Sequence, residues 1–272
     1  MVEEIRYVNN LGEEIVFGGG PWHFGETDLF DFEAEPVAIG GSIVGFERPM
    51  AKNSLTVILD GPLELRNRLA DVTAYDRAVG KPGTLWACGA YRKCWIAGIK
   101  PEDWYMIGTM YEADLTVVAD EAVWVRSVSK TLTPAQEKDG SGLDFPFDFP
   151  FDLDYSAGTS VMLENPFRVP AKCDIYIPGP CTSPHLIIGG NRYQVDTAVN
   201  AGSLLVIRGY GERGIFVRSP DGTERSVFRQ GVREEGAHVF AEVPVGNSVA
   251  AWVGSYNIEV VLYEERDSPW WT

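Results

Sequence analysis

The residues that most often perform chemistry in proteins are scattered in this chain. Its three histidines are His23, His185 and His238, and none lies in an H-E-x-x-H pattern or beside a cysteine at metal-ligand spacing. A serine nucleophile of the hydrolase type would need a G-x-S-x-G turn, which the sequence lacks. We therefore predict that the histidines are structural or solvated. The sequence predicts no catalytic residue, no metal site and no cofactor.

The four cysteines are Cys88, Cys94, Cys173 and Cys181, and they form no C-x-x-C pair of the kind found in zinc and redox sites. Cys88 and Cys94 could face each other across a hairpin. The sequence shows neither a signal peptide at its start nor an apolar run of membrane-spanning length. These observations favour free thiols in a protein made in a reducing cytoplasm.

One glycine motif imitates a nucleotide site. Residues 209–214 satisfy G-x-G-x-x-G, but a strand pattern continues directly after them at 215–218. The dinucleotide fingerprint works only where it opens a helix whose N-terminus receives the phosphates. We predict a turn here and no nucleotide binding.

Carboxylates are concentrated in one segment, residues 143–155, where apolar residues alternate with Asp or Pro. Its aspartates, Asp144, Asp148, Asp152 and Asp154, could imitate a glycosidase pair or a calcium loop. They lack the varied oxygen ligands and the turn glycine of a calcium loop, and none is in an evident position to have a raised pKa. We predict an acidic edge that is solvated or paired with arginine.

The same segment has an apolar edge, because side chains of an extended chain alternate between two sides. Pro146 and Pro150 lack an N–H group and keep the segment out of a central strand. We name residues 143–155 the arm, and predict that it lies on its own domain as an edge strand or joins two domains or two subunits. The residues predicted to pack at that interface are Phe145, Phe147, Phe149, Phe151, Leu153 and Tyr155, with Leu143 on the same edge.

Five tryptophans offer a different chemistry, since flat aromatic side chains can serve as platforms for sugar rings. They are Trp22, Trp104, Trp252, Trp270 and Trp271. Tryptophan is equally common as a core or interface anchor. We expect the structural role for these residues.

The elements that must position these residues are mainly strands. A hairpin is predicted around residues 8–13 and strands at 54–59, 83–88, 92–97 and 111–118, whereas 18–49 reads as mostly loops. One helix is predicted near 62–80, because apolar residues recur there at helical spacing ahead of Gly80 and Pro82. Short strands separated by turn signals recur from 172 to 263.

These patterns predict an all-β fold with one helix, arranged as two β-sandwich-like domains. The predicted bounds are 1–130 for the N-terminal domain, 131–142 for a polar linker, and 143–272 for the arm followed by a C-terminal sandwich. The net charge of −16 is shared evenly between the two halves of the 272 residues. Because neither half has a basic surface pattern, we expect no specific nucleic-acid binding and no membrane insertion.

Several segments, in order along the chain, resemble the distal tail protein of siphophages that infect Gram-positive bacteria. Each segment is short, but together they span nearly the whole sequence. They are residues 7–13 (Tyr-Val-Asn-Asn-Leu-Gly-Glu), 27–31 (Thr-Asp-Leu-Phe-Asp), 45–48 (Gly-Phe-Glu-Arg), 81–85 (Lys-Pro-Gly-Thr-Leu), the arm, 179–184 (Gly-Pro-Cys-Thr-Ser-Pro), 243–247 (Val-Pro-Val-Gly-Asn) and 264–270 (Glu-Glu-Arg-Asp-Ser-Pro-Trp).

This resemblance implies an N-terminal domain that closes a hexameric ring around the tail channel and a galectin-like C-terminal sandwich. It implies a structural protein of the virion tail tip, made in the host bacterial cytoplasm, with no catalytic residues. The implied partners are further copies of the chain, the tail tube protein, a tail-tip or tail-associated lysin protein, and the tape measure protein. A phage and a prophage-encoded particle would use the same part. The alternatives are a cell-surface carbohydrate-binding module and, third, a glycoside hydrolase.

Overall fold

The computed structural model describes residues 4–62, 64–102, 110–134, 158–254 and 256–269. The chain divides into two compact units. The first comprises Met1–Arg126 together with Glu265–Thr272, and the second comprises Ser127–Glu264. Each unit has its own hydrophobic core.

The first unit is built from antiparallel strands and one helix. Seven of its strands follow the order β2-β1-β7-β8-β9-β6-β3, whereas β4 and β5 pair only with each other within the described residues. The elements are β1 (Ile5–Val8), β2 (Glu14–Phe17), β3 (Trp22–Thr27), β4 (Glu35–Ile39), β5 (Ser42–Glu47), β6 (Ala51–Asp60), α1 (Glu64–Val79), β7 (Gly83–Ala87), β8 (Ala90–Pro101), β9 (Met110–Ala119) and β10 (Trp124–Leu132), which continues into the second unit.

Alternation of apolar and polar residues places one side of each strand in the core. In β6, for example, Leu55, Val57 and Leu59 are fully buried. The helix α1 covers this core with Leu69 and Val72, one turn apart on the same face. It ends at Gly80, whose φ of +67° is the left-handed conformation that terminates many helices.

The second unit contains two larger antiparallel sheets with a core between them. One has the order β19-β18-β17-β12-β23-β10 and the other the order β11-β22-β14-β15. The remaining elements are β11 (Gly158–Asn165), β12 (Lys172–Pro178), β13 (Cys181–Thr182), β14 (His185–Ile188), β15 (Asn191–Gln194), β16 (Ala198–Val199), β17 (Leu204–Arg208), β18 (Gly214–Arg218), β19 (Glu224–Ser226), β20 (Arg233–Glu234), β21 (Ala237–His238), β22 (Gly246–Val253), β23 (Ile258–Arg266) and a 3₁₀ turn at Phe228–Gln230.

Side chains from both of these sheets meet in one core. Ile175 of β12 and Ile207 of β17 belong to the same buried cluster as Leu186 of β14 and Trp252 of β22. The second unit is therefore a two-layer β-sandwich, held by alternating inward-facing residues.

The prediction of an all-β fold with one helix is confirmed, since α1 is the sole α-helix in the described part of the chain. The predicted hairpin at 8–13 is β1–β2. The prediction that 18–49 is mostly loops is wrong, because β3, β4 and β5 lie there. Strand β11 and the membership of Glu265–Thr272 in the first unit were not predicted. Strand β10 runs two residues into the predicted linker, whose residues 135–142 lie outside the described part, so the linker remains a prediction.

Candidate functional site: an exposed apolar hairpin

Strands β4 and β5 form a two-stranded ribbon that is exposed along almost its whole length. We name residues 35–47 the β4–β5 hairpin. Its large apolar side chains face solvent: Ile39 is 69 % exposed, Ile43 61 % and Phe46 67 %. A ribbon of two strands is only marginally stable alone in water. Exposed apolar residues clustered on one such ribbon mark a surface for contact with another protein.

The turn of this hairpin explains its shape. Ile39 pairs with Ser42 across Gly40 and Gly41, whose φ angles are +60° and +85°. Two successive residues with positive φ form the type I′ turn that matches strand twist, and glycine adopts that conformation without strain. Residues 35–47 therefore form a regular β-hairpin and not an irregular loop.

The register sorts the side chains of the hairpin onto two faces. Pro36 lies opposite Phe46 and Ala38 lies opposite Ile43, so these four apolar residues share one face. The other face carries Glu35 with Glu47 opposite it. A bulge between Val37 and Ala38 shifts the register by one residue.

The segment that leads into the hairpin is fixed to β6. The Asp28 carboxylate accepts a 2.6 Å hydrogen bond from the N–H of Ser54. The backbone carbonyl of Asp28 accepts a 2.8 Å hydrogen bond from the side-chain amide of Asn53. Thr27 donates to the Ser54 carbonyl at 2.8 Å. Leu29 is fully buried in the core. The segment before the hairpin is thus anchored to the first unit, whereas the hairpin itself is exposed.

The chain leaving the hairpin is tied to the C-terminal segment of the same unit. Nε of Arg48 lies 2.5 Å from Oδ1 of Asp267, and Nη1 lies 3.6 Å from Glu265. Arg48 and Asp267 border an open groove of about 600 Å³, together with Ala34, Phe46, Glu47 and Glu121. Two segments that carry the family resemblance, 45–48 and 264–270, therefore meet at the foot of the hairpin.

A buried cation lies next to Asn53, which in turn holds the segment that leads into the hairpin. Arg92 is fully buried, its Nη1 donates to Oδ1 of Asn53 at 2.9 Å, and its guanidinium lies 4.7 Å from the ring centre of Trp124. Phe30 packs on the same tryptophan, with ring centres 5.8 Å apart. Burial lowers the pKa of Arg92. The cation–π contact compensates part of the desolvation of this charge.

Two further segments of the resemblance, 7–13 and 81–85, meet at the carboxylate of Asp76, near the end of α1. This fully buried group accepts hydrogen bonds from the Tyr7 hydroxyl at 2.6 Å and from the N–H of Asn10 at 2.8 Å. The side-chain amide of Asn10 donates to Asp76 at 2.7 Å and to the carbonyls of Lys81 and Pro82, both at 3.1 Å. The network joins the β1–β2 turn to the chain between α1 and β7.

The histidines do not form a reactive site in the described residues. His23 is exposed, and Nδ1 of the partly buried His238 accepts a 3.2 Å hydrogen bond from the N–H of Phe240. Burial lowers the pKa of His185. Within the described part of the chain, no group of three or more His, Cys, Asp or Glu side chains could hold a metal ion.

All four cysteines are free thiols. Burial raises the pKa of Cys94 and of Cys173 to about 12, which keeps both protonated and unreactive near neutral pH. The prediction of a turn at the G-x-G-x-x-G motif is confirmed, because residues 209–213 connect strand β17 to strand β18. None of the helices in the described residues has the length and apolar character of a membrane span.

Of the tryptophans considered as sugar platforms, Trp22 and Trp252 are buried in the two cores. Trp104, Trp270 and Trp271 lie outside the described residues. So do the arm residues predicted to pack at an interface, namely Phe145, Phe147, Phe149, Phe151, Leu153 and Tyr155.

The β4–β5 hairpin was missed by sequence reasoning, although a signal was present. Two glycines at 40–41 are flanked by apolar residues on both sides, which is a short-range hairpin pattern. Pro36 and the many glycines nearby masked that pattern. The exposed apolar arrangement of this hairpin suits contact with another protein.

Comparisons with known proteins identify solved structures that share this fold. No protein-family model matches the chain, and no curated protein matches it. Among solved structures, the crystal structure of the phage SPP1 Dit protein, described as a paradigm of the hub adsorption apparatus in Gram-positive infecting phages, matches with a TM-score of 0.55 at 10 % identity. The match covers 97 % of this chain and 98 % of that protein.

Chains of the phage p2 baseplate in its activated conformation match as well. The strontium structure gives a TM-score of 0.59 at 11 % identity, and the calcium structure gives 0.59 at 12 %. Each match covers 98 % of this chain and 99 % of the other. The resemblance to distal tail proteins is therefore confirmed at the level of the fold, which this chain shares with phage hub proteins over nearly its whole length.

Proposed function

We propose that this protein is a non-enzymatic assembly hub of a phage tail tip. Copies of the chain associate through the first unit into a closed ring, hypothesised as six subunits, that joins the tail tube to the proteins of the tip. The observation that carries the proposal is the exposed apolar β4–β5 hairpin, on a chain whose fold matches hub proteins from end to end.

The hairpin favours contact with a second copy of the chain. Burying Ile43 and Phe46 would each stabilise an interface by roughly 1.5–3 kcal/mol, whereas both lie exposed in the single chain. The hairpin of one copy would contact a different surface on the next. A contact between two different surfaces closes into a ring when the rotation between copies allows it.

The charge of the chain supports a role around a DNA channel. Each copy carries a net charge of −16. A ring of such copies surrounds its lumen with negative charge, and DNA would pass without being retained, because basic groups would bind its phosphates through counterion release. The neighbours proposed for this hub are the tail tube protein, a tail-tip or tail-associated lysin protein, and the tape measure protein.

Light scattering coupled to gel filtration tests the self-association. We expect the natural sequence to elute with a multiple of its 30.0 kDa chain mass. The double variant Ile43→Asp, Phe46→Asp should remain a monomer, since it places charges in the proposed contact. Val169→Asp is the matched control, because Val169 is also an exposed apolar residue but lies in the second unit. Equal masses for the natural sequence and the hairpin variant would contradict the proposal.

A further inference from the structure

The second unit has an apolar surface that is separate from the hairpin. It lies on the side of the β11-β22-β14-β15 sheet that faces away from the core, which we name the outer face. Met162 of β11 is 62 % exposed there, and Val249 and Val253 of β22 are 54 % and 56 % exposed. Such a row of exposed apolar residues on one sheet indicates a surface that another segment covers.

The strand register makes this surface continuous. Met162 lies directly opposite Val249, and Ala251 lies directly opposite Ile187 of β14. Val249, Ala251 and Val253 alternate along β22 and therefore share a side. The apolar strip thus runs across three neighbouring strands.

We propose that the arm of the same chain, residues 143–155, lies on this outer face with its odd-numbered apolar side chains against the strip. Chain continuity carries the first step of the argument. Only Ser156 and Ala157 separate the end of the arm, Tyr155, from Gly158, the first residue of β11. The C-terminal end of the arm is therefore close to β11 along the chain and needs no long connection to reach the strip.

The repeat of the arm matches the repeat of the sheet. Alternate side chains of an extended segment are about 6.6 Å apart, the same spacing as alternate residues along β22. The apolar row of the arm can therefore lie along a row of apolar residues on a strand. Its aspartates would then point into water, where carboxylates remain solvated.

Backbone geometry makes the core side of this sheet unsuitable for the arm. The N–H of Gly189 donates to the carbonyl of Val249 at 3.2 Å, so odd-numbered residues of β22 pair with β14 and even-numbered ones with β11. In the register of β11 with β22, the even-numbered residues of β11 lie opposite odd-numbered residues of β22. The backbone N–H and C=O groups of these even-numbered β11 residues therefore point away from β22, to the other edge of β11.

A strand added at that edge with its apolar side chains towards the core would pair through its own even-numbered residues. In the arm these include Pro146 and Pro150, which have no N–H to donate. Pairing through the odd-numbered residues would instead direct the aspartates towards the core side of the sheet. Lying across the outer face avoids both costs, because it needs no N–H from Pro146 or Pro150 and leaves the aspartates in water.

Photo-crosslinking of the full-length protein tests this placement. A benzophenone amino acid replaces Phe151 in one variant and Asp152 in the matched control, which differ by one position and so face opposite sides of the arm. Benzophenones react preferentially with methionine side chains. We expect the Phe151 variant to crosslink within its own chain to β11, β22 or β14, with Met162 as the main site, and the Asp152 variant to give no such product.

Crosslinks from position 151 to any other region, or between chains, would overturn the proposal, as would equal products from both positions. A second measurement uses no probe in the arm. Met162→Asp with Val249→Asp should raise the rate of chymotrypsin cleavage within 143–155 by about tenfold, because the arm loses its contact surface. Ser160→Asp, an exposed polar position on the same face, is the control and should leave the rate unchanged. An unchanged rate in the double variant would also contradict the docking.

Discussion

The hydroxyl of Tyr7 donates a 2.6 Å hydrogen bond to Oδ2 of Asp76, and both side chains are 0 % exposed. This contact joins strand β1 to the last turn of helix α1. Burial, and then the neighbouring Asp76, raises the pKa of Tyr7, so the phenol stays protonated and remains a donor. One buried carboxylate in the first unit therefore joins a strand, a turn and a helix end.

Replacing Tyr7 by Phe should lower the free energy of unfolding by about 1–3 kcal/mol, because the Asp76 carboxylate loses a donor in a buried site. Urea denaturation measures the loss. Tyr75→Phe, on the same helix and partly exposed, is the control and should change stability by less than about 0.5 kcal/mol. Equal values for the two variants would show that the hydrogen bond contributes nothing.

Gly83→Ala should lower the free energy of unfolding by about 1–3 kcal/mol, because the added methyl group overpacks the same site. A Cβ at Gly83 would lie 2.5 Å from Oδ2 of Asp76 and would also overlap the Tyr7 hydroxyl. Gly45→Ala is the matched control, since a Cβ there meets no atom within 4 Å. Thermal unfolding of both variants decides the matter, and a Gly83→Ala protein with an unchanged melting temperature would refute the close packing.

Stability should fall in alkaline solution because of the two buried thiols. Burial raises the pKa of Cys94 and Cys173 to about 12, from an ordinary value of 9.0. The folded state therefore holds these protons more tightly than the unfolded state. The resulting stability is fully present below the unfolded pKa and is lost as pH rises towards the folded pKa.

We expect the free energy of unfolding to be level up to about pH 8.5 and then to decrease by up to about 1.4 kcal/mol per thiol for each pH unit. Urea titrations between pH 7 and pH 10 measure the slope. The variant with Cys94→Ala and Cys173→Ala should show a shallower decrease than the natural sequence. Parallel curves for the two proteins would assign the alkaline loss to other groups.

Sequence patterns were informative where local chemistry determines structure. Asn10 and Gly12 marked the β1–β2 turn, where Gly12 has a φ of +81°. The recurrence of Leu69 and Val72 marked α1. The turn after Ser219 is also as predicted, with the N–H of Ser219 donating to the carbonyl of Thr223 at 2.9 Å.

Features that depend on distant contacts could not be read from the sequence. Nothing local indicates that Arg92 is buried against Trp124, because arginine is ordinarily exposed. Likewise, Arg48 and Asp267 are 219 positions apart, and only the fold brings them to 2.5 Å. The sequence shows the segments of the resemblance only in their order along the chain, whereas the structure shows that several of them contact one another.

Electron microscopy of the purified protein in negative stain tests the central claim most directly. The account predicts closed rings with a central channel and sixfold symmetry, which the Ile43→Asp, Phe46→Asp variant should fail to form. Particles of single-chain size at every concentration, also in the presence of tail tube and tail-tip proteins, would contradict the assembly hub proposed here.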